Sequence, residues 1–165
     1  EERMARILSL LSSRYVVFHG LPSGSLKGGG DFDHVVIGPT GVFLVETKNW
    51  SGSVRLRDDE LLYHESALAG ADAFKRPDRP PLTQVKDAAV ALEARLLKDG
   101  LEGVTVQPVL CFASQVFSEG VAGVSGVIVC NADRLSGALL ENIEAQIKDS
   151  DVKAIELILQ KWLVN

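Results

Sequence analysis

Two short apolar segments joined by a tight turn constrain the fold of this chain most. The segments Phe32–Ile37 and Val42–Asn49 are rich in β-branched and aromatic residues, and Gly38-Pro39-Thr40-Gly41 lies between them. Such segments are typical of strands, and so short a connection is typical of antiparallel neighbours. The sequence therefore predicts a hairpin of two strands with its turn over residues 38–41.

Three charged side chains are predicted at the open end of this hairpin. Side chains alternate along a strand, so Glu46 and Lys48 share a face at a separation of about 7 Å. If Gly38 and Gly41 flank the turn, the same register places Asp33 opposite Glu46, with Cβ atoms roughly 5 Å apart. Like charges in this arrangement repel each other, and a divalent cation would offset the repulsion.

This set of side chains suits the metal-assisted hydrolysis of phosphodiesters. Two carboxylates, a backbone carbonyl and water provide the oxygen ligands that Mg²⁺ prefers and that Mn²⁺ also accepts. Lys48 would then orient the nucleophile and stabilise the charge that develops on the phosphate. The alternative is a solvated strand edge on which Glu46 and Lys48 form a weak ion pair. The residue types alone leave both interpretations open.

The remaining hydrophobic patterns predict an α/β fold. Helices are predicted at residues 4–11, 82–98, 133–148 and 151–163. Further strands are predicted at residues 15–18, 54–57, 61–64, 104–112 and 127–130. The order is helix, strand, strand, strand, helix, strand (αβββαβ), with a small β insertion after the third strand. We therefore expect a mixed central β-sheet flanked by helices.

The length of 165 residues suits one domain with a hydrophobic core. We predict a single domain over residues 1–165, with its core at about 1–115 and a C-terminal strand and helices at about 120–165. The Gly- and Ser-rich segment 20–30 is predicted to be a loop, and the Gly-rich segment 119–126 a weak inner boundary. Because the chain begins with Glu1 rather than Met, we expect a segment of a longer protein, whose flanks could hold a targeting signal or another domain.

Charge and cysteine content narrow the possible functions. The net charge of −5 argues against a tight nucleic-acid binder but allows a nuclease whose carboxylates a metal neutralises. Cys111 and Cys130 lie in apolar runs and are predicted to be buried free thiols. No apolar run approaches the roughly 18 residues of a membrane span, so we expect no membrane segment and a cytoplasmic location.

The segment DFDHVVIGPTGVFLVETKNWSG resembles the nuclease-related domain family, known as NERD, within the P-D…(D/E)-x-K nuclease superfamily. The opening residues 1–4 and the later Pro81-Leu82-Thr83-Gln84 are also similar to family motifs, so the resemblance covers about the first two thirds of the chain. It implies a restriction-endonuclease-like fold and Mg²⁺- or Mn²⁺-dependent hydrolysis of nucleic acid, with DNA favoured over RNA.

The resemblance also implies a role for each matching residue. The implied catalytic residues are Asp33, Glu46, Lys48, Gln84 and Glu1. The implied metal ligands are Asp33, Glu46 and the carbonyl of Thr47. Glu1 would be a helix acid that assists the metal or its water, and Gln84 would support the site or touch the substrate backbone.

Several nearby residues admit two interpretations each. Asp31 is either an additional ligand or a solvated acid, and the second is favoured. His34 is either a general base or a hydrogen-bonded structural residue, and the second is again favoured. Trp50 could stack on a base, but packing over the strand end is preferred. The basic segment 75–79 could approach phosphate or be simply solvated.

A second function from another class is compatible with these residues. The fold could serve as a nucleic-acid-binding or interaction module that keeps the site but barely cuts, fused to another domain. The complete set of Asp33, Glu46 and Lys48 favours an enzyme, whereas the acidic balance of the chain favours the module.

Overall fold

A six-stranded mixed sheet forms the centre of the protein in a computed structural model that describes residues 2–24, 30–66, 73–114, 116–142 and 147–164. The helices are α1 (Glu2–Leu8), α2 (Pro81–Lys98), α3 (Leu135–Leu140) and α4 (Asp149–Trp162). The strands are β1 (Val16–Pro22), β2 (Asp31–Gly38), β3 (Gly41–Lys48), β4 (Ser53–Arg57), β5 (Glu60–His64), β6 (Val106–Phe112), β7 (Val121–Val124) and β8 (Val127–Asn131).

The strand order in the large sheet is β1-β2-β3-β6-β8-β7. The strand β3 pairs antiparallel with β2 and parallel with β6, so β3 is a central strand. A parallel neighbour requires a crossover, and α2 lies in the connection from β3 to β6. This arrangement confirms the predicted mixed sheet flanked by helices.

Each face of the sheet is covered by a different pair of helices. Val35 and Leu44 belong to a buried cluster with residues of α2 and α4, on what we call the α2–α4 face. Val36 and Val45 belong to a second cluster with residues of α1 and α3, on the α1–α3 face. Because neighbouring residues of β2 and β3 point to opposite clusters, both strands are buried on two sides, as their continuous apolar sequence predicts.

The hairpin of β2 and β3 has the predicted register. Its pairs run from Gly38↔Gly41 at the turn to His34↔Val45. A Cβ added at Gly38 would lie 2.1 Å from the ring of Tyr15. The turn therefore packs so closely against Tyr15 that only glycine fits at position 38. These contacts fix the register and with it the positions of the charged residues at the far end.

The strands β4 and β5 pair with each other as predicted and form a separate two-stranded sheet. Backbone hydrogen bonds attach this sheet to the segment after β6, since the Val54 N–H donates to the Val116 carbonyl at 2.7 Å and the Ser118 N–H donates to the Val54 carbonyl at 3.0 Å. Val54 is fully buried in a third cluster with Phe112 and Phe117. The insertion is therefore anchored to the sheet end at which β6 finishes.

The segment from Gly20 to Pro22 belongs to β1, so the predicted start of the glycine-rich loop was wrong. Leu21 pairs with Phe32 and is fully buried, which outweighs the turn-forming tendency of its neighbours. Gly20 has a φ of +58°, a conformation that glycine adopts readily. Residues 25–29 of the predicted loop lie outside the described residues.

The C-terminal elements differ most from the predictions. Residues 133–148 do not form one helix, because α3 ends at Leu140 and the side chain of Asn142 donates to the Thr40 carbonyl at 3.2 Å. The glycine-rich segment 119–126 was predicted to be only a weak boundary within the domain. It contains the strand β7, which pairs antiparallel with β8. At the other terminus, the predicted first helix extends to residue 11, whereas α1 already ends at Leu8.

Candidate active site

Asp33, Glu46 and Lys48 lie at one end of the large sheet, where β2 begins and β3 ends. The β2–β3 ladder stops at His34↔Val45, one position before Asp33 and Glu46. The Asp33 carboxylate instead accepts the backbone N–H of Thr47 through Oδ2 at 2.8 Å. Asp33 and Glu46 therefore do not form a ladder pair, although the prediction placed them directly opposite each other. They occupy the next position beyond His34↔Val45 in the same register.

The side chains of Glu46 and Lys48 meet on the same face of β3. Lys48 Nζ donates to Glu46 Oε1 at 2.8 Å, and the side chains of Lys48 and Glu46 are 20% and 25% exposed, respectively. Because β3 is a central strand, this ion pair does not lie on a solvated sheet edge. A pair with so little solvent contact is screened less than a surface pair.

The parallel neighbour β6 supplies an apolar border to this end of β3. Leu110 is the register partner of Glu46 and Phe112 is that of Lys48, and both are fully buried. The Trp50 ring lies 4.8 Å from that of Tyr63 and 5.5 Å from that of Phe112. Trp50 thus covers the end of the strand, which supports the packing interpretation over base stacking.

Thr47 connects the two strands at the site. Its N–H points towards β2, as the bond to Asp33 demonstrates, while its side chain follows the alternation of β3 to the α1–α3 face. The Thr47 Oγ1 atom is buried and has no hydrogen-bond partner among the described residues. In an extended strand the carbonyl of a residue points to the same neighbour as its N–H, so the Thr47 carbonyl is directed towards the Asp33 side.

His34 is a buried residue that forms a hydrogen-bonded pair with His19. His34 is 3% exposed, and its Nδ1 lies 2.8 Å from Nδ1 of His19 with the rings nearly perpendicular at 83°. This contact supports the structural interpretation of His34. The sequence analysis missed the pair, although the β1–β2 register, in which His19 and His34 are partners, is the signal that would have revealed it.

The two remaining candidates are Glu1 and Gln84. Glu1 lies outside the described residues. Gln84 is in the first turn of α2, where its N–H donates to the Pro80 carbonyl at 3.2 Å, and within the described chain its side chain makes no hydrogen bond. Val85 nevertheless packs in the same cluster as Leu110, so α2 begins above β6.

The other charged residues near the site are exposed. Asp31 is exposed at the first position of β2, in keeping with a solvated acid. Arg76 forms an exposed ion pair with Glu60 at 2.7 Å. Lys75 pairs through its backbone with Tyr63 at 2.8 and 3.0 Å. These contacts involve Arg76 and the backbone of Lys75, and they do not decide between the two interpretations of the basic segment.

Cys111 and Cys130 are buried free thiols, as predicted, and are register partners on β6 and β8. A hydrogen bond with Cys130 and burial raise the pKa of the Cys111 thiol far above its usual value. The Cys111 thiol is therefore protonated at neutral pH and unsuited to binding a metal.

The described residues contain no cluster of three or more His, Cys, Asp or Glu side chains arranged around a common metal position. A metal at this end of the sheet would thus rely on two carboxylates, a backbone carbonyl and water. Mg²⁺ is compatible with such a set, since it commonly retains several waters and binds only one or two carboxylates.

The chain is similar to a known protein family. The family model for the nuclease-related domain, NERD, matches residues 1–113 of the 165-residue chain, a segment that includes the strands β1 to β6. No curated protein and no solved structure matches significantly. None of the helices in the described ranges has the length and apolar character needed to cross a membrane.

Proposed function

This chain belongs to the nuclease-related domain family, and on that premise we propose that it is a metal-dependent nuclease that hydrolyses phosphodiester bonds, with DNA favoured over RNA as its substrate. The observation that carries the proposal is the convergence of two carboxylates and a lysine at one sheet end, with Lys48 in contact with Glu46 at 2.8 Å. We also assign the α1-to-β6 part of the chain to the restriction-endonuclease-like αβββαβ core.

Asp33, Glu46 and the Thr47 carbonyl would hold the metal. Asp33 uses Oδ2 for the Thr47 N–H, which leaves Oδ1 to coordinate, and Glu46 retains Oε2 while Oε1 faces Lys48. The hydrogen bond from Thr47 orients the Asp33 carboxylate, as outer partners orient ligands in other metal sites. When bound, Mg²⁺ or Mn²⁺ would neutralise phosphate charge and activate water for attack on phosphorus.

Lys48 would act on the substrate directly. Its ammonium carries three N–H donors, of which one is engaged by Glu46, so the others can reach a phosphate oxygen or orient the attacking water. The buried side chains of Leu110 and Phe112 border this end of β3 and limit solvent access, which strengthens the electrostatic interaction of the lysine with developing negative charge.

Calorimetric titration of Mg²⁺ and Mn²⁺ into wild-type protein and a Glu46→Gln variant tests the metal site. We expect the variant to bind at least roughly tenfold more weakly, because a charged ligand is lost. Asp87→Asn, which removes the same charge from an exposed position of α2, is the matched control and should bind like wild type. Equal affinity in wild type and Glu46→Gln would contradict the proposed ligand set.

Cleavage of single- and double-stranded DNA and RNA, measured on the same preparations, separates the two candidate functions. Metal-dependent cleavage that disappears in Glu46→Gln supports the nuclease. Metal binding without cleavage of any substrate favours the alternative of a weakly active or inactive binding module fused to another domain.

A further inference from the structure

A cleft of about 640 Å³ lies between the C-terminal halves of α2 and α4, away from the carboxylates of the proposed metal site. Its apolar walls include Ala91 and Ile158, and its charged lining includes Arg95 and Lys98. Cavities of this size commonly hold small organic ligands. Nothing in the proposed nuclease reaction uses these residues.

The guanidinium of Arg95 is held in a fixed position at the wall of the cleft. It lies 3.7 Å above the centre of the Trp162 ring and donates through Nη1 to the Pro22 carbonyl. The other N–H groups of Arg95 have no acceptor in the part of the chain that the structure describes. An immobilised guanidinium with free donors is well suited to bidentate recognition of phosphate.

The charge balance of the cleft favours an anion. Lys98 is exposed and makes no ion pair or hydrogen bond within the described residues, so its ammonium is available. The carboxylate of Asp99 also lines the cleft, but its Oδ2 accepts the indole N–H of Trp162 at 2.6 Å. Two available cations therefore face the cleft in a chain whose net charge is −5.

We propose that this cleft binds a phosphate monoester, with Arg95 and Lys98 as its ligands for the phosphate. A phosphate monoester carries about −1.5 to −2 charge at neutral pH, which two cations match. The cleft is larger than a phosphate group, so Ala91 and Ile158 would contact the organic part of the ligand. A free nucleotide and the 5′-phosphorylated end of a nucleic-acid strand both present this chemistry.

Calorimetric titration with AMP, adenosine and a short DNA strand with or without a 5′-phosphate tests the site. Metal-free buffer makes the result independent of the proposed nuclease centre, so either proposal can fail alone. Saturable binding of AMP or of the phosphorylated strand, without binding of adenosine or the unphosphorylated strand, supports the proposal and identifies the source. Failure of both phosphorylated probes to bind, or equal binding of adenosine, overturns it.

Two variants test whether Arg95 and Lys98 bind the ligand. Arg95→Lys should weaken binding roughly tenfold or more, because the bidentate hydrogen bonds are lost. Lys98→Gln should weaken it roughly three- to tenfold, and its exposed position leaves the fold intact. Lys86→Gln, the same change nearer the start of α2, is the control and should bind like wild type. Unchanged affinity in Lys98→Gln and Arg95→Lys overturns the assignment.

Tryptophan fluorescence tests independently whether the ligand binds in the cleft. The chain has two tryptophans, so Trp50→Phe leaves Trp162 as the reporter beside Arg95. The same AMP concentrations that saturate the calorimetric signal should change Trp162 emission. Emission that stays constant at saturation would place the ligand elsewhere and contradict the proposal.

Discussion

The Asp33 carboxylate accepts the backbone N–H of Thr47 at 2.8 Å, at the point where the ladder between β2 and β3 ends. Asp33 therefore has two roles. Its side-chain oxygen accepts an N–H of β3 where the backbone ladder has ended, and the same carboxylate is a proposed metal ligand. Folding of the hairpin therefore also fixes the direction of that carboxylate.

Replacing Asp33 separates these two roles. Asp33→Asn retains an oxygen that can accept the Thr47 N–H, so its free energy of unfolding should change by less than about 1 kcal/mol. Its Mg²⁺ affinity should fall at least roughly tenfold, because the charge is lost. Calorimetry and urea unfolding measure the two quantities. Wild-type Mg²⁺ affinity in Asp33→Asn would remove Asp33 from the ligand set.

The buried side chain of Asn131 should be a major contributor to stability. It is 5% exposed, accepts the Phe117 N–H at 3.0 Å and donates to the Phe117 carbonyl at 2.8 Å. Asn131→Ala leaves both backbone groups without their partner and should lower the free energy of unfolding by roughly 2–4 kcal/mol. Asn142→Ala, which removes one less buried bond, should cost about 1 kcal/mol or less. Equal losses measured by urea unfolding would refute this ranking.

The turn of the central hairpin requires glycine at position 38. Gly38→Ala places a methyl group against the Tyr15 ring and should destabilise the protein by about 1–3 kcal/mol. Gly137→Ala is the control, since Gly137 lies in α3 with nothing within 4 Å of an added Cβ. That variant should be more stable than wild type by roughly 0.5–1 kcal/mol. Thermal unfolding that shows Gly38→Ala to be as stable as wild type would contradict the packing of the turn.

The thiols of Cys111 and Cys130 should be inert in the folded protein. Because the pKa of Cys111 is raised on folding, its contribution to stability is fully present below the unfolded value and declines as pH rises above about 9. Ellman's reagent at pH 8 should react slowly with native protein and rapidly with both thiols in urea. Fast stoichiometric labelling of the native protein would show that the thiols are accessible.

Local sequence patterns were sufficient to predict the hairpin and much of the candidate site. Alternation along β3 correctly placed Glu46 and Lys48 on one face, and the turn correctly fixed the pairing from Gly38↔Gly41 to His34↔Val45. Both properties depend on neighbouring residues and on the two-residue period of a strand.

Features that depend on distant segments could not be predicted in this way. The β2–β3 ladder ends before Asp33, where the Asp33 side chain rather than a backbone carbonyl accepts the Thr47 N–H. The pairing of β7 with β8 stabilises a glycine-rich segment that has weak strand propensity of its own. The contact between His19 and His34 arises from a register that neither residue's local sequence indicates.

The most direct test of the proposed nuclease is single-turnover cleavage of DNA with saturating Mg²⁺ by wild type, Lys48→Ala and Lys86→Ala. Removing the Lys48 ammonium should slow cleavage roughly 10²- to 10³-fold while Mg²⁺ binding is retained, because the lysine acts on developing charge rather than on the metal. Lys86→Ala should cleave at the wild-type rate. Cleavage by Lys48→Ala at the wild-type rate would contradict the assignment of this sheet end as the active site.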